Sequence, residues 1–245
     1  MARLAANSLL FGLAGTLLMG CGQWVSPMNF MGADETVVSP HNAPACEADA
    51  GPDHNVKLDL IRQLMDSGKL YAALAHLEAT RSTSPQSLYL RAEILRRTDR
   101  PEQAVSLYRE LLGGCMAGKG YHGLGLIAGR DNNISEAIEY LQKAVTELPI
   151  DVRVRNDLGY ALLLDGQFDS ARNEFLTALE LDSGDSLAAT NLALLLSVME
   201  KEREIQALAA HMHIDSQTLM QLRAQAGTIK ASIGNASKRQ ALTEP

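Results

Sequence analysis

The sequence predicts an all-α solenoid of about four to five stacked helix pairs, closed by a further helix at its C-terminal end. Three observations carry that prediction. The 245 residues include 33 Ala and 38 Leu, while aromatic residues make up only 4%, which suits packed helices and leaves too few aromatic and β-branched residues for a sandwich or barrel. A small residue recurs at Ala73, Ala104, Ala137 and Ala171, with steps of 31, 33 and 34, and Ile205 stands another 34 on; a period in this range marks stacked repeats. The flanks move in the same register: Leu77, Tyr108, Leu141 and Phe175 lie four residues later, Thr80, Leu111, Ala144 and Ala178 seven later, and Leu64, Leu95, Ala128 and Leu162 nine earlier. Those offsets put the small residue and its two followers on one helical face and a second apolar stripe on the helix just upstream, so each unit is an antiparallel helix pair.

Residues 1–20 precede the fold. Arg3 and the amino terminus give a positive start, and Leu9 to Leu18 is an apolar run too short to span a bilayer, the pattern of a signal-peptide core. Leu18-Met19-Gly20-Cys21 follows, and it resembles the lipobox of bacterial lipoproteins, in which the signal is cut before the cysteine. The resemblance implies a diacylglycerol on Cys21, and Gly22 rather than Asp after it implies the outer membrane, with the protein held at the periplasmic face. Two or three acyl chains suffice for a stable anchor where one does not. An ordinary secretory signal cut elsewhere is the alternative; it keeps the periplasmic address and loses the anchor. Residues 21–52 carry Pro27, Pro40, Pro44 and Pro52 among Gly, Ser, Asn and Asp with no hydrophobic period, which predicts a flexible tether.

The repeats occupy residues 53–232. The fourth unit, Val152 to Asp185, shows the pattern best: Leu158-Gly159 begins its first packing stripe, Asp165-Gly166-Gln167-Phe168-Asp169 is the turn, and Ala171, Phe175 and Ala178 form the second stripe. It resembles the tetratricopeptide repeat, and so does the third unit with Tyr121, Leu124-Gly125, Ala137, Leu141, Ala144 and a closing Pro149. Gly125, Gly159, Ala137 and Ala171 let helix backbones nest closely. The first two units, about 54–84 and 85–117, are looser: Arg91-Ala92 stands where the family prefers Leu-Gly, and Pro101 opens a second helix, where a missing N–H is harmless. The fifth pair starts with Asn191-Leu192-Ala193 and Leu196, but Ile205 replaces its small residue, which argues against tight nesting there. The fifth pair, together with a final helix that Asp215 or Ser216 caps and that carries Leu219, Leu222 and Ile229, is the expected terminal lid. Residues 233–245 read as a disordered tail.

A formal charge of -7 with no run of Lys or Arg argues against a nucleic-acid partner. No catalytic constellation, cofactor motif or metal site stands out, and the chain reads as a binder without a small-molecule substrate rather than an enzyme. His211 and His213 are two apart and face different ways on a helix. His122 and Cys115 lack a third, orienting group, and the glycines at 118, 120, 123 and 125 have neither a preceding strand nor the Lys-Ser or Lys-Thr of a phosphate loop. With Cys21 lipidated, Cys46 and Cys115 remain, and the periplasm is oxidising. They admit one bridge, from the end of the tether to an inter-repeat turn; the alternative is two free thiols.

The tetratricopeptide resemblance implies a site as well. In that family, first-helix side chains not used for packing line a concave groove that takes a peptide. Here those positions are Tyr89 and Glu93 in the second unit, His122 and Leu126 in the third, Asn156 and Tyr160 in the fourth, and Asn191 and Leu194 in the fifth. Two tyrosines, two leucines and two amides suit an apolar anchor flanked by backbone hydrogen bonds. The organisation as a whole, lipobox plus tether plus about five repeats, resembles the TadD lipoproteins of the tight-adherence (Flp, type IVb) pilus machinery. That resemblance implies a pilotin or scaffold whose partner is the secretin subunit or another pilus-assembly protein. A general periplasmic scaffold, for example one docking peptidoglycan hydrolases, or a type IVa pilus pilotin, is the alternative.

Overall fold

The computed structural model describes Cys46 and residues 52–243, with side chains described as far as Asn235. The signal peptide, Cys21 and the tether lie outside the described residues, apart from Cys46 and Pro52. The chain divides into two units, residues 1–39 and 40–245, and everything described falls in the second. Eleven helices follow one another: α1 (Pro52–Asp66), α2 (Leu70–Thr80), α3 (Pro85–Arg97), α4 (Pro101–Leu111), α5 (Ala117–Arg130), α6 (Ile134–Glu147), α7 (Val152–Leu164), α8 (Phe168–Leu181), α9 (Ser186–Val198), α10 (Glu202–Met212) and α11 (Ser216–Thr243). They form five antiparallel pairs and one closing helix, with no strand among the described residues.

Two local devices set the helix boundaries. Several first helices start on a side-chain cap: Ser84 accepts from Ser87 N at 3.2 Å, Asp151 from Arg153 N and Val154 N at 3.1 and 3.3 Å, and Asp185 from Ala188 N at 2.8 Å. Asp215 caps α11 in the same way, accepting from Gln217 N and Thr218 N. Between the two helices of each pair the chain turns through one left-handed residue, in order Gly68, Asp99, Asn132, Gly166 and Glu200, with φ of 73°, 61°, 63°, 82° and 57°. The next residue's N–H returns each time to a carbonyl five back, Lys69 to Leu64, Arg100 to Leu95, Asn133 to Ala128, Gln167 to Leu162 and Lys201 to Leu196, which satisfies a carbonyl the helix end would leave unpaired. Each left-handed residue sits five before the small residue of its unit, so turn and packing stripe repeat in one register.

Packing follows the small residues. Ala73, Ala104, Ala137 and Ala171 are fully buried, as are their followers Leu77, Tyr108 and Phe175. A Cβ on Gly125 would lie 2.7 Å from Leu141 Cγ, and one on Gly159 would lie 2.7 Å from the Phe175 ring. Both pairs therefore close further than an alanine permits. Ile205, though large, is buried in the fifth pair. Helix α5 contains five glycines in 14 residues, each costing about 1 kcal/mol of helix propensity relative to Ala; packing against α4 and α6 supplies what propensity withholds.

One departure from the expected elements stands out. Helix α11 does not end near Ile233 but continues to Thr243. Residues 235–243, Asn-Ala-Ser-Lys-Arg-Gln-Ala-Leu-Thr, contain no Gly or Pro to stop it. α11 closes the array by packing mainly on α9 of the last pair, and it also reaches α7, where Gln225 Nε2 stands 3.5 Å from the Tyr160 hydroxyl and Ile233 lies beside Gly166. Outside the helices, Cys46 and Cys115 are joined in a disulfide with Cα atoms 5.2 Å apart, fixing the chain ahead of α1 to the turn between α4 and α5.

Candidate functional site

The odd-numbered helices pack backbone to backbone on their successors in the row α1, α3, α5, α7, α9, whereas the even-numbered helices stand further apart, α8 and α10 being joined through the Arg172–Glu204 ion pair. The odd helices thus form the inner layer, and the eight positions expected to line a groove all lie on it, on α3, α5, α7 and α9. Their surroundings divide them into three groups.

Four belong to polar links, and Tyr89 packs half-buried beside the first of them. Glu93 on α3 pairs with Arg96, Nη2 to Oε2 at 2.9 Å, and accepts the Tyr108 hydroxyl from α4. Burial works against an ionised Glu93, but the hydrogen bond and charge of Arg96 and the Tyr108 hydroxyl outweigh it and hold the carboxyl below the usual range. Burial and the same carboxylate push the Tyr108 phenol up and, in its half-buried neighbour Tyr89, raise the phenol to about 12. His122 Nε2 meets Asp157 Oδ2 at 2.7 Å, joining α5 to α7, and Asn191 Nδ2 donates to Asn156 Oδ1 at 3.0 Å, joining α9 to α7. Both links span 35 residues, so they are one device used twice along the layer. Asp151 adds a second tie between α5 and α7, accepting from Lys119 Nζ at 2.6 Å while capping α7. Burial opposes its charge too, and Lys119 outweighs it, keeping the carboxyl low.

Two of the expected groove positions are corrected by burial. Asn156 is 2% exposed and its amide is engaged with Asn191, so it serves as an internal link and offers no surface to a partner. Leu194 is 1% exposed and lies in the cluster that also contains Leu219, Leu222, Ala226 and Ile229 of α11. Its repeat equivalents Leu126 and Tyr160, 68 and 34 residues earlier, keep partial exposure. The difference is α11, which packs on α9 and leaves the fifth unit no open groove.

Leu126 and Tyr160 remain, and the structure brings them to one place. They line a cavity of about 260 Å³ between α5, α6 and α7, together with Gly125, Gly129, Ile134 and Leu164. Arg130 and Asp157 also line it. Gly129, Ile134 and Leu164 escape a reading of first-helix positions alone, because Ile134 comes from the second helix and Gly129 counts only through the side chain it lacks. The sole signal for Gly129 is in the repeat register, where Leu163 stands one unit later. An opening lined by Leu, Ile, Tyr and glycine suits a single large apolar side chain from a partner. Nothing in this arrangement aligns a nucleophile with a base, and among the described residues no three His, Cys, Asp or Glu side chains stand close enough to hold a metal ion.

Comparisons with known proteins agree with the repeat fold. Sequence profiles of the tetratricopeptide repeat match residues 58–118 and 130–195. The TPR repeat-containing protein PA4299 of Pseudomonas aeruginosa is 38% identical over 184 residues, covering 74% of each chain. Among solved structures, one from the functional characterisation of Pseudomonas aeruginosa pilF superposes with a TM-score of 0.58 at 18% identity, over 78% of this chain and 92% of the other. YrrB, described as a TPR protein with an unusual peptide-binding site, superposes at 0.51 with 19% identity over 69% and 90%. At these identities the two structures speak for the fold alone.

Proposed function

The chain belongs to the tetratricopeptide-repeat family, whose fold is that of protein-interaction scaffolds, and from that premise we propose that it is an outer-membrane lipoprotein holding a partner of a pilus-assembly machine. The proposed partner is the secretin of a tight-adherence (Flp) pilus, for which the chain acts as pilotin. Cys21 carries the lipid at the periplasmic face, and tethering raises the effective concentration of a membrane-bound partner. The observation that carries the binding half is the apolar cavity between Leu126 and Tyr160 on the inner helix layer. Glu93, His122, Asn156 and Asn191 are engaged in internal links and Leu194 is buried, which directs recognition to that cavity.

Two variants test the reading. Cys21→Ser should release the protein from membranes and impair formation of secretin multimers; unchanged membrane fractionation removes the anchor from the account. Leu126→Glu with Tyr160→Glu places two charges at an apolar opening. It should abolish co-purification with the partner while helical content by circular dichroism stays the same, and persistent binding would move the site to another face.

A further inference from the structure

The inner layer already holds one helix. α11 lies on α9 and reaches Tyr160 and Gly166 of the α7 segment, and its buried residues Leu219, Leu222, Ala226 and Ile229 alternate steps of three and four. That is the stripe of an amphipathic helix seated on a helical surface. Because the units repeat every 34 residues here, the pair α5–α7 should present the same seat one step earlier. Leu126 and Tyr160 stand to α5–α7 as Tyr160 and Leu194 stand to α7–α9.

The two seats differ in size in both directions: Tyr160 and Leu164 of the earlier one are followed one unit on by the smaller Leu194 and Val198, while several exchanges run the other way. Gly129, Ile134 and Leu141 line the earlier seat, and one unit on stand Leu163, Phe168 and Phe175, in or against the core cluster that also holds the buried residues of α11. Each of these last three exchanges removes volume from the earlier seat, which is a physical cause for the cavity of about 260 Å³ at this step and for the filled core one step on. Helices pack at about 8–10 Å, so a second helix seated one step earlier would lie alongside α11 as its neighbour.

Resting on the reading that the inner groove binds a protein partner, we infer that the occupant of the α5–α7 seat is an amphipathic helix with the same three-and-four apolar stripe as α11. It lies beside α11 and inserts one large side chain, Leu or Phe, over Gly129. α11 is a fixed wall of this seat and not a competitor for it.

The test uses the full chain and a fluorescein-labelled peptide with the sequence of residues 216–235 as the probe. Saturable binding is expected, with loss when the probe carries Ile229→Asp. Gly129→Leu supplies the side chain found one repeat on and should weaken binding at least tenfold; Gly129→Ala should have a smaller effect. A Cβ at Gly129 meets only Ala137 Cβ at 3.7 Å, so the smaller variant leaves the fold intact even if the larger one strains it. Cross-linking α11 in place through Glu200→Cys and Lys230→Cys, whose native side chains form an ion pair, should leave probe affinity within twofold. No probe binding, equal binding by native and both Gly129 variants, or loss of binding in the cross-linked protein would each overturn the inference. Its failure is separable from that of the groove itself: a partner that is lost with Leu126→Glu and Tyr160→Glu yet retained with Gly129→Leu uses the groove but not this seat.

Discussion

Gly123 and Gly129 occupy the same helix, yet an alanine at each should act with opposite sign. At Gly129 the new methyl has ordinary van der Waals distance to Ala137, so only helix propensity changes, a gain of about 1 kcal/mol. At Gly123 the methyl would lie 2.2, 2.3 and 2.6 Å from three atoms of the Tyr108 ring. The ring is fully buried and its hydroxyl is bound to Glu93, so it has to retreat by more than 1 Å with no free space behind it and a hydrogen bond to break. Overpacking costs about 1–3 kcal/mol, and a lost hydrogen bond to a charged group about 1.5–3 kcal/mol. After subtracting the propensity gain, Gly123→Ala should destabilise by about 2–5 kcal/mol.

Thermal unfolding of the oxidised protein, followed at 222 nm, measures both. With roughly 2–4 °C per kcal/mol at this chain length, Gly129→Ala should melt about 2–4 °C higher and Gly123→Ala on the order of 10 °C lower. The double variant Gly123→Ala with Tyr108→Leu places at 108 the residue found at the equivalent positions 77 and 141. It should recover part of the loss, with a coupling above about 1 kcal/mol because the two side chains touch. Equal melting temperatures for the two single alanine variants, or no coupling in the double, would refute close approach as the reason for Gly123.

Reducing the Cys46–Cys115 bridge, or replacing both cysteines by serine, opens a loop of 69 residues and should cost about 4 kcal/mol by loop entropy, read as a lower urea midpoint. Glu93 and Asp151 are both held below their unfolded values, so their contribution is complete above about pH 4.5 and disappears as pH falls through the folded values. Acid titration of stability should therefore be steeper for the native chain than for Glu93→Gln. Among the left-handed turn residues, glycine substitution should raise the melting temperature most at Glu200, by a few degrees, and least at Asn132, because Asn tolerates that conformation locally and Glu does not.

The helix pairs were legible because one physical requirement, close backbone approach, places a small residue at the same point in each of the first four units. Ala73, Ala104, Ala137 and Ala171 declare it at their spacing. The left-handed turn was less legible, since Gly68 and Gly166 announce it while Asp99, Asn132 and Glu200 do not, although all five adopt it. There the backbone geometry is imposed by the two flanking helices and not by the turn residue. The groove was legible only in part. Register places Leu126, Tyr160 and Leu194 on one face, but exposure at those positions depends on what lies above them.

The hardest feature to read was the destination of α11. A stripe of Leu219, Leu222, Ala226 and Ile229 says that one face of this helix is covered. It does not distinguish a lid across the end of a stack from a helix laid along its inner layer, because both bury the same pattern. The information sits on the receiving surface. α9 is buried on nearly every side, with Leu192, Leu194, Leu195, Leu196 and Val198 all enclosed, and a helix that is apolar all round needs cover on its inner as well as its outer face. α5 carries no such excess: its glycines meet α4 and α6, and Leu126 is left half-exposed. The chain thus closes its own groove where the first helix is richest in leucine and leaves it open where that helix is richest in glycine, which is where a partner's side chain has room to enter.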